Sequence, residues 1–137
     1  MALDSIDRFP PADAPLDHFI VRDGKEAAGV HLIIDVVDGE RLDDQAHIEN
    51  VLRECVETCG ATLLHIHLHK FSPEGVSGVA VLAESHISVH TWPEKGYAAF
   101  DVFMCGDARP ELAADIIGAR FKARETRVST FLRGEDL

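Results

Sequence analysis

Four strand-like runs follow one another between residues 62 and 105, and this succession limits the possible folds more than any other feature of the chain. The runs cover residues 62–71, 78–84, 86–92 and 97–105, and Pro and Gly turns occur among them at "SPEG" and "PEKG". Short turns join antiparallel neighbours, because a parallel pair needs a crossover of a dozen or more residues. We therefore predict a mostly antiparallel sheet.

Two amphipathic helices and two further strands flank these runs. The helices are predicted over 42–60 and 109–121 and the strands over 30–37 and 126–132, which gives the order βαββββαβ. Two helices can cover only one face of the sheet, so the predicted fold is an α+β two-layer sandwich with both helices on one face. The predicted buried stripes are Ile48, Val51, Leu52, Cys55 and Cys59 on the first helix, and Leu112, Ile116 and Ala119 on the second.

Residues 1–28 are predicted to be a flexible leader and residues 29–137 the folded domain. The leader carries Pro10, Pro11 and Pro15 among acids and alanines, a composition that resists helix and sheet alike. It does not start with a basic region and an apolar stretch, and the sequence contains no apolar run long enough to span a bilayer. Three cysteines without disulfide-type spacing favour a reducing compartment, so we predict a cytoplasmic protein with no membrane partner.

The net charge argues against one class of partner. The chain has 24 acidic and 13 basic side chains and a formal net charge of -11. Nucleic-acid binding needs a basic surface that releases counterions, so we predict no nucleic-acid partner. The same negative charge favours cationic small molecules as ligands.

Strand alternation predicts what lies on the sheet face that the helices leave open. On two of the strands, the histidines and the aromatic residues fall on the same side. These residues are His65, His67, His69 and Phe71 on the first strand, and His86, Ser88, His90 and Trp92 on the second. A histidine-rich, aromatic face is neither ordinary core nor ordinary solvated surface. It indicates an active site, a subunit interface, or both.

Several of these residues also have ordinary explanations. His65 and His67 have the spacing of a zinc-binding pair, but no carboxylate or cysteine completes a set, so a packed interface is favoured and no metal is predicted. Cys55 and Cys59 lie on the helix stripe and are predicted to be small buried side chains. The position of Cys105 at the end of a strand leaves a chemical and a structural role equally open.

The sequence Glu84-Ser85-His86 between two strands allows two kinds of serine chemistry. No nucleophile-elbow motif surrounds Ser85 and no strand-turn-helix follows it, so a hydrolase triad with His86 and His90 is disfavoured. A turn serine can instead attack the carbonyl of the preceding residue, converting the peptide into an ester that can eliminate. That reaction leaves a ketone-bearing end group on the chain.

The segment "HKFSPEGVSGVAVLAESHISVHTWPEKGYAAFDVFMCG" closely resembles the core of the prokaryotic S-adenosylmethionine decarboxylase proenzymes, which are pyruvoyl-dependent. The likeness runs from about Gly29 to the C-terminus, and the elements "ESH", "HTWPE" and "CG" carry it. The resemblance implies decarboxylation of S-adenosylmethionine, which supplies the aminopropyl donor for spermidine biosynthesis. It also implies a homo-oligomer, at least a dimer of processed protomers.

The resemblance further implies roles for individual residues. Cleavage between Glu84 and Ser85 would give chains of residues 1–84 and 85–137 and turn Ser85 into the pyruvoyl group, the covalent cofactor. His90 and Ser77 would assist this processing, and Cys105 would return a proton to the substrate α-carbon. The aromatic pair expected to hold adenine, and the carboxylate expected to hold the ribose hydroxyls, are Phe71, Trp92 and Glu94.

Some departures from the family pattern leave the substrate open. Met104 stands where the family commonly has a threonine, and the strand over 62–71 is richer in histidine than usual. A pyruvoyl-dependent ornithine or arginine decarboxylase of the same superfamily is therefore an alternative. A partner subunit that does not process itself is a third, and the presence of Ser85, His90 and Cys105 argues against it.

Overall fold

A six-stranded antiparallel sheet and two helices make up most of the computed structural model, which describes residues 19–137. The sheet order is β4-β5-β6-β7-β3-β8, and a separate two-stranded hairpin, β1-β2, precedes it. A 3₁₀ turn at Pro93–Lys95 joins β6 to β7. In chain order the elements are β1 Ile20–Arg22, β2 Lys25–Ala27, β3 Gly29–Val37, α1 Gln45–Cys59, β4 Leu63–Lys70, β5 Val76–Leu82, β6 Ser85–Trp92, β7 Tyr97–Met104, α2 Glu111–Arg120 and β8 Glu125–Arg133.

Both helices bury their apolar sides with one face of the sheet in a single core. The helix α1 begins after Asp44, whose side chain accepts the His47 backbone N–H, and ends at Gly60 with φ of 81°. The predicted α+β two-layer sandwich is confirmed, with β1 and β2 added to the predicted order. The predicted stripe of α1 is also confirmed, because all its members are buried: Ile48, Val51, Leu52, Cys55 and Cys59.

The predicted apolar face of α2 is partly correct: Leu112 and Ile116 are half-buried and pack against the core, but the fully buried face lies one position further along. The buried residues are Ala113 and Ile117, followed by Phe121 just after the helix, whereas Ala119 is exposed. The helix has apolar residues on several sides, so its periodicity gives only a weak indication of direction. Within the part of the chain that the structure describes, neither helix is long and apolar enough to cross a bilayer.

A β-bulge changes the predicted alternation at the start of β4. Leu63 pairs with Leu82, but His65 pairs with Val81, so Leu64 is an extra residue without a partner. Leu64 was expected on the apolar side with Ile66 and is instead 64% exposed. Beyond the bulge the predicted alternation holds, and the histidines of β4 lie on the open face.

Part of the predicted leader contains sheet structure. β1 and β2 pair as an antiparallel hairpin, and Ala27 is buried. The proline-rich portion at residues 1–18, on which the prediction of a flexible leader rested, lies outside the described residues. The division into leader and domain at residue 29 stays a prediction, although β3 begins at Gly29.

Candidate active site

The turn between β5 and β6 holds the predicted cleavage site. Leu82 and Ser85 pair across it, so Ala83 and Glu84 are its two central residues. Glu84 has φ of 62°, in the left-handed region that residues other than glycine rarely adopt. The peptide bond between Glu84 and Ser85 therefore begins at a conformationally strained residue.

Cys105 contacts both residues of this peptide bond. Its backbone N–H donates to Ser85 Oγ at 3.3 Å, and its thiol donates to the Glu84 carbonyl oxygen at 2.9 Å. Cys105 reaches the turn because it directly follows β7, which pairs with β6. The structure thus brings together three of the predicted site residues at one end of the sheet.

The environment of Cys105 keeps its thiol protonated. Burial raises the pKa of the Cys105 thiol above its ordinary value; the hydrogen bond with Ser85 offsets part of this effect, and the charge of Glu84 adds to it. A thiol with a raised pKa carries its proton at neutral pH and can act as an acid.

Two open pockets are lined by both Glu84 and Ser85. The first has a volume of about 400 Å³ and the second about 260 Å³. Both residues of the bond therefore border space that solvent can reach. The other residues that line the first pocket are His31, His86, Phe103 and Arg133, and those that line the second include Cys105, Gly106, Asp107 and Ala108.

A hydrogen-bonded cluster on the open sheet face forms one wall of the first pocket. Asp101 Oδ2 accepts from Nε2 of His31 at 2.6 Å and of His86 at 2.9 Å, and Oδ1 accepts from the Ser88 hydroxyl. Arg133 Nη1 donates to His31 Nδ1 at 3.0 Å, so the His31 proton is on Nε2. The cluster is a chain of donors that ends on one carboxylate.

Sequence reasoning did not assign Asp101 or His31 to the site. A signal was present, because Asp101 is the one charged residue in the run 97–105 and falls on the same side of it as Phe103. His31 likewise stands in the apolar run 30–37. Only the pairing of β3 with β7, and of β7 with β6, brings these residues beside His86.

Ligand-type atoms of His31, His86 and Asp101 lie within 4.8 Å of one another, as they would in a metal site. The proton positions favour hydrogen bonds instead. A metal would need the Nε2 lone pair of His31, and the proton moved to Nδ1 would then face the Arg133 donor. We therefore describe the cluster as a hydrogen-bonded network, and the absence of a metal stays a prediction.

The remaining predicted residues lie at the opposite end of the sheet. Ser77 and His90 are partners across β5 and β6, with Ser77 Oγ 3.0 Å from His90 Nδ1. Trp92 follows at the end of β6 and stacks on Tyr97, with 5.3 Å between ring centroids. His90 lies five positions beyond Ser85 on β6, about 16 Å at the rise of an extended strand. One protomer therefore does not bring His90 to its own Ser85.

The predicted substrate-binding residues share this second end. Phe71 follows β4 and is 45% exposed, and Trp92 is 42% exposed. Glu94 is exposed in the 3₁₀ turn directly after Trp92. These side chains are open to solvent on one rim of the sheet. The exposed histidines of β4, His65, His67 and His69, lead along its edge towards them, and the ring centroids of His69 and Phe71 are 4.5 Å apart.

The charge of Asp101 should stabilise the folded chain in a pH-dependent way. Burial works to raise the pKa of Asp101, but hydrogen bonds from Ser88, His31 and His86 outweigh it, so the pKa lies below its ordinary value. Because the folded-state pKa is lowered, this stabilisation is present above the unfolded pKa of about 3.9 and is lost as pH falls through the folded value.

We expect Asp101→Asn to lower the free energy of unfolding by about 1–3 kcal/mol at pH 7 and by less at pH 3. Urea unfolding would measure this change in stability. The chains would also carry Ser85→Ala, so that every molecule is a single uncleaved chain. Asp35→Asn is the matched control, because Asp35 on the same face accepts only the Tyr97 hydroxyl among the side-chain hydrogen bonds of the described residues. An equal loss at both pH values for Asp101→Asn would contradict the ionised cluster.

These features define a class of protein: a two-layer α+β fold in which one cysteine contacts both sides of a turn peptide bond, with its thiol on the carbonyl and its backbone N–H on the serine hydroxyl. The match to a family of known proteins is direct. Residues 30–134 match the family model described as S-adenosylmethionine decarboxylase. The chain belongs to the S-adenosylmethionine decarboxylase family.

Individual relatives and a solved structure agree with this assignment. The chain is 50% identical over 109 residues to an S-adenosylmethionine decarboxylase proenzyme of Methanococcus maripaludis, covering 77% of this chain and 89% of the relative. It is 46% identical over 108 residues to the proenzyme of that name from Synechococcus sp., covering 77% and 84%. The crystal structure of the adenosylmethionine decarboxylase from Aquifex aeolicus matches with a TM-score of 0.71 and 33% identity, covering 77% of this chain and 90% of that one.

Proposed function

We propose that this protein decarboxylates S-adenosylmethionine with a pyruvoyl group that it makes from its own Ser85. The observation that carries the proposal is the contact of Cys105 with both sides of the Glu84–Ser85 bond. The names of the relatives, which call them proenzymes of an S-adenosylmethionine decarboxylase, support it. The aminopropyl product would serve spermidine biosynthesis in the cytoplasm.

Self-cleavage begins with attack of Ser85 Oγ on the Glu84 carbonyl carbon. The new C–O bond replaces the C–N bond, so that the two residues are joined by an ester and Ser85 has a free amine. The Cys105 thiol, already 2.9 Å from the Glu84 carbonyl oxygen, stabilises the negative charge that develops there. Elimination then transfers the α proton of residue 85 to water and breaks its Cβ–O bond, which releases chain 1–84 as a carboxylate and leaves a dehydroalanine. The imine tautomer of this residue is hydrolysed, so that water supplies the ketone oxygen and the nitrogen leaves as ammonia.

The residues around Ser85 fit the group that this reaction would leave. When formed, the pyruvoyl group supplies a ketone that binds the substrate amine and withdraws electrons as carbon dioxide departs. Cys105 holds a proton beside the same position, because its thiol is close to residue 85 and burial raises its pKa. It is therefore suited to protonate the substrate α-carbon.

The second end of the sheet has the features of an adenosine site. Phe71 N–H donates to Gly75 O at 2.8 Å, and Ser77 pairs with His90, so Gly75 falls between Phe71 and Trp92 in the continued register. Two strand spacings separate the aromatic residues by about 10 Å, and a flat ring needs about 3.5 Å on each face. Aromatic faces also attract a sulfonium, by about 0.5–2 kcal/mol. Glu94 would accept the ribose hydroxyls.

A second protomer would join the two ends of the sheet into one site. The Glu84–Ser85 bond and the Ser77–His90 pair are about 16 Å apart within one chain, too far for His90 to act on its own Ser85. The open face that carries Ser77 and His90 has no covering layer within the described residues of one chain. We propose a dimer in which Ser77, His90 and the adenosine site of one protomer serve Ser85 of the other.

Mixed dimers test this sharing. We expect His90→Ala chains to cleave poorly alone and to cleave when co-expressed with Ser85→Ala chains, which supply an intact His90 across the interface. The intact mass of the His90→Ala chain reads out its cleavage. If co-expression leaves that chain whole, or if it cleaves normally alone, the shared site is wrong.

The substrate itself gives the direct test of the proposed activity. S-adenosylmethionine should release carbon dioxide far faster than ornithine or arginine, the substrates of the runner-up class. Trp92→Ala should weaken its binding by about 1–3 kcal/mol, the range for losing a stacked base, whereas Trp92→Phe keeps a stacking face and should retain most of it. Faster turnover of ornithine or arginine would move the protein to that class.

A further inference from the structure

A short hairpin lies outside the part of the chain that the family match covers. β1 and β2 precede residue 30, where that match begins, and they pair Ile20 with Ala27 and Arg22 with Lys25. None of the roles proposed above uses this hairpin. Its contacts nevertheless reach walls of both pockets beside Ser85.

The second strand of the hairpin is fixed to the C-terminal end of β8. Ala28 N–H donates to the Arg133 carbonyl oxygen at 2.8 Å, and Asp136 N–H donates to the Glu26 carbonyl oxygen at 3.3 Å. The Arg133 side chain lines the first pocket. The hairpin therefore contacts the backbone of a residue that forms the site.

The first strand faces the loop that follows Cys105. Residues 19–22 and 106–109 together line an open pocket of about 350 Å³. Arg22 Nη1 pairs with Glu111 Oε2 at 2.5 Å in the first turn of α2, just after this loop. The hairpin and the loop thus line one pocket, and Arg22 ties the hairpin to the helix that follows the loop.

Apolar contact contributes more to this docking than charge does. Ile20 is partly buried against the main core, and Ala27 is fully buried. The side chains of Arg22 and Glu111 are 35% and 52% exposed, and exposed ion pairs contribute little to stability. Loss of the Ile20 contact should release the hairpin from the core, and loss of the Arg22 ion pair should increase this release.

We propose that the β1–β2 hairpin is a positioning element that fixes the end of the loop over residues 106–109, through Ile20 on the core and Arg22 on Glu111, and so holds Cys105 on the Glu84 carbonyl. The loop leaves directly from Cys105 and lines the second pocket, so a shift of the loop moves the thiol away from the carbonyl oxygen. The hairpin lies outside residues 30–134, which match the family model. Its effect on self-cleavage rests on the proposed function, whereas its effect on the thiol does not.

Alkylation of Cys105 measures this positioning without any catalysis. The experiment uses full-length chains with Ser85→Ala, in which Cys55 and Cys59 are buried and iodoacetamide reports on Cys105. Addition of Ile20→Ser with Arg22→Gln should raise the labelling rate on the order of tenfold, because a partly buried isoleucine contact is lost.

Val21→Ser is the matched control for these labelling experiments. Val21 lies on the same strand but is 71% exposed, so its substitution should leave the labelling rate unchanged. Circular dichroism checks that each chain is folded. If the chain with both substitutions is unfolded, Ile20→Ala alone is used in its place. An unchanged labelling rate in a folded Ile20 variant overturns the proposal, as does an equal increase in the Val21→Ser control.

A second measurement links the hairpin to self-cleavage. In chains with Ser85 intact, Ile20→Ser with Arg22→Gln should slow cleavage several-fold by intact mass, and Ile20→Ser with Arg22→Lys should recover part of the rate. If the wild type does not cleave but Cys105 labelling responds as expected, the proposed function fails and the positioning stands. If cleavage is normal in the variants while labelling rises, the thiol position does not limit processing and the proposed link to cleavage is wrong.

Discussion

Cys105→Ala should leave S-adenosylmethionine binding nearly normal and lower its turnover by on the order of a hundredfold or more, the usual contribution of a positioned acid. The residues proposed to bind adenosine are Phe71, Trp92 and Glu94, and the substitution changes none of them. What the variant lacks is the thiol proton that the wild type holds beside residue 85, 2.9 Å from the Glu84 carbonyl oxygen.

The Cys105→Ala variant should also inactivate itself. Without the thiol, the proton can reach the wrong carbon, and the substrate amine then passes to the pyruvoyl group and leaves an alanine at the head of the small chain. Mass spectrometry of the small chain after incubation with substrate should find alanine more often per turnover than in the wild type.

The same cysteine is proposed to assist processing, so uncleaved chains must be counted separately in this experiment. Cys105→Ser is the matched control, because a hydroxyl can still donate to the carbonyl but is a much weaker acid. Wild-type turnover by fully cleaved Cys105→Ala, with no excess of alanine, would mean that the proton comes from elsewhere. His90 of the second protomer or a bound water would then be the next candidates.

The sequence predicts the sheet and α1 well because their patterns are local. Alternation along β6 separates Ile87 and Val89, which are buried, from His86 and His90, and the α1 stripe repeats at helical spacing. Short turns between the central strands then leave few topologies. The open, histidine-rich face follows from these local patterns alone.

The errors in the prediction come from tertiary context. The bulge at Leu64 depends on the register with β5, which no local pattern specifies, and α2 is apolar on too many sides to indicate its buried face. The hairpin residues Ile20 and Ala27 form strands because they dock on the core. Tertiary burial overrides the weak propensity of that segment.

The candidate site is predictable in its residue types and not in its arrangement. Ser85 and Cys105 are 20 positions apart in sequence, and only the pairing of β6 with β7 brings the thiol to the turn. The resemblance to the family named Ser77 and His90 but not their distance from Ser85. That distance, along a single strand, is what indicates a site shared between protomers.

The largest expected effect of any substitution is that of Ser85→Ala on covalent structure. The wild-type chain should split between Glu84 and Ser85 into pieces of about 9 and 6 kDa, the shares of residues 1–84 and 85–137 in a 15.0 kDa chain. Alanine has no hydroxyl to attack the Glu84 carbonyl, so Ser85→Ala should remain one chain under all conditions. The substitution removes the acceptor of the Cys105 backbone N–H and leaves the hydrogen bond of the Cys105 thiol to the Glu84 carbonyl in place.

Intact-mass spectrometry of the purified protein tests the central claim most directly, because it reports cleavage and the chemistry of the new end group together. The account predicts two chains, the smaller beginning with a pyruvoyl group in place of Ser85, and a single chain for Ser85→Ala. A wild type that stays a single chain and still decarboxylates S-adenosylmethionine would contradict it. So would a small chain that begins with an unmodified serine in an active preparation.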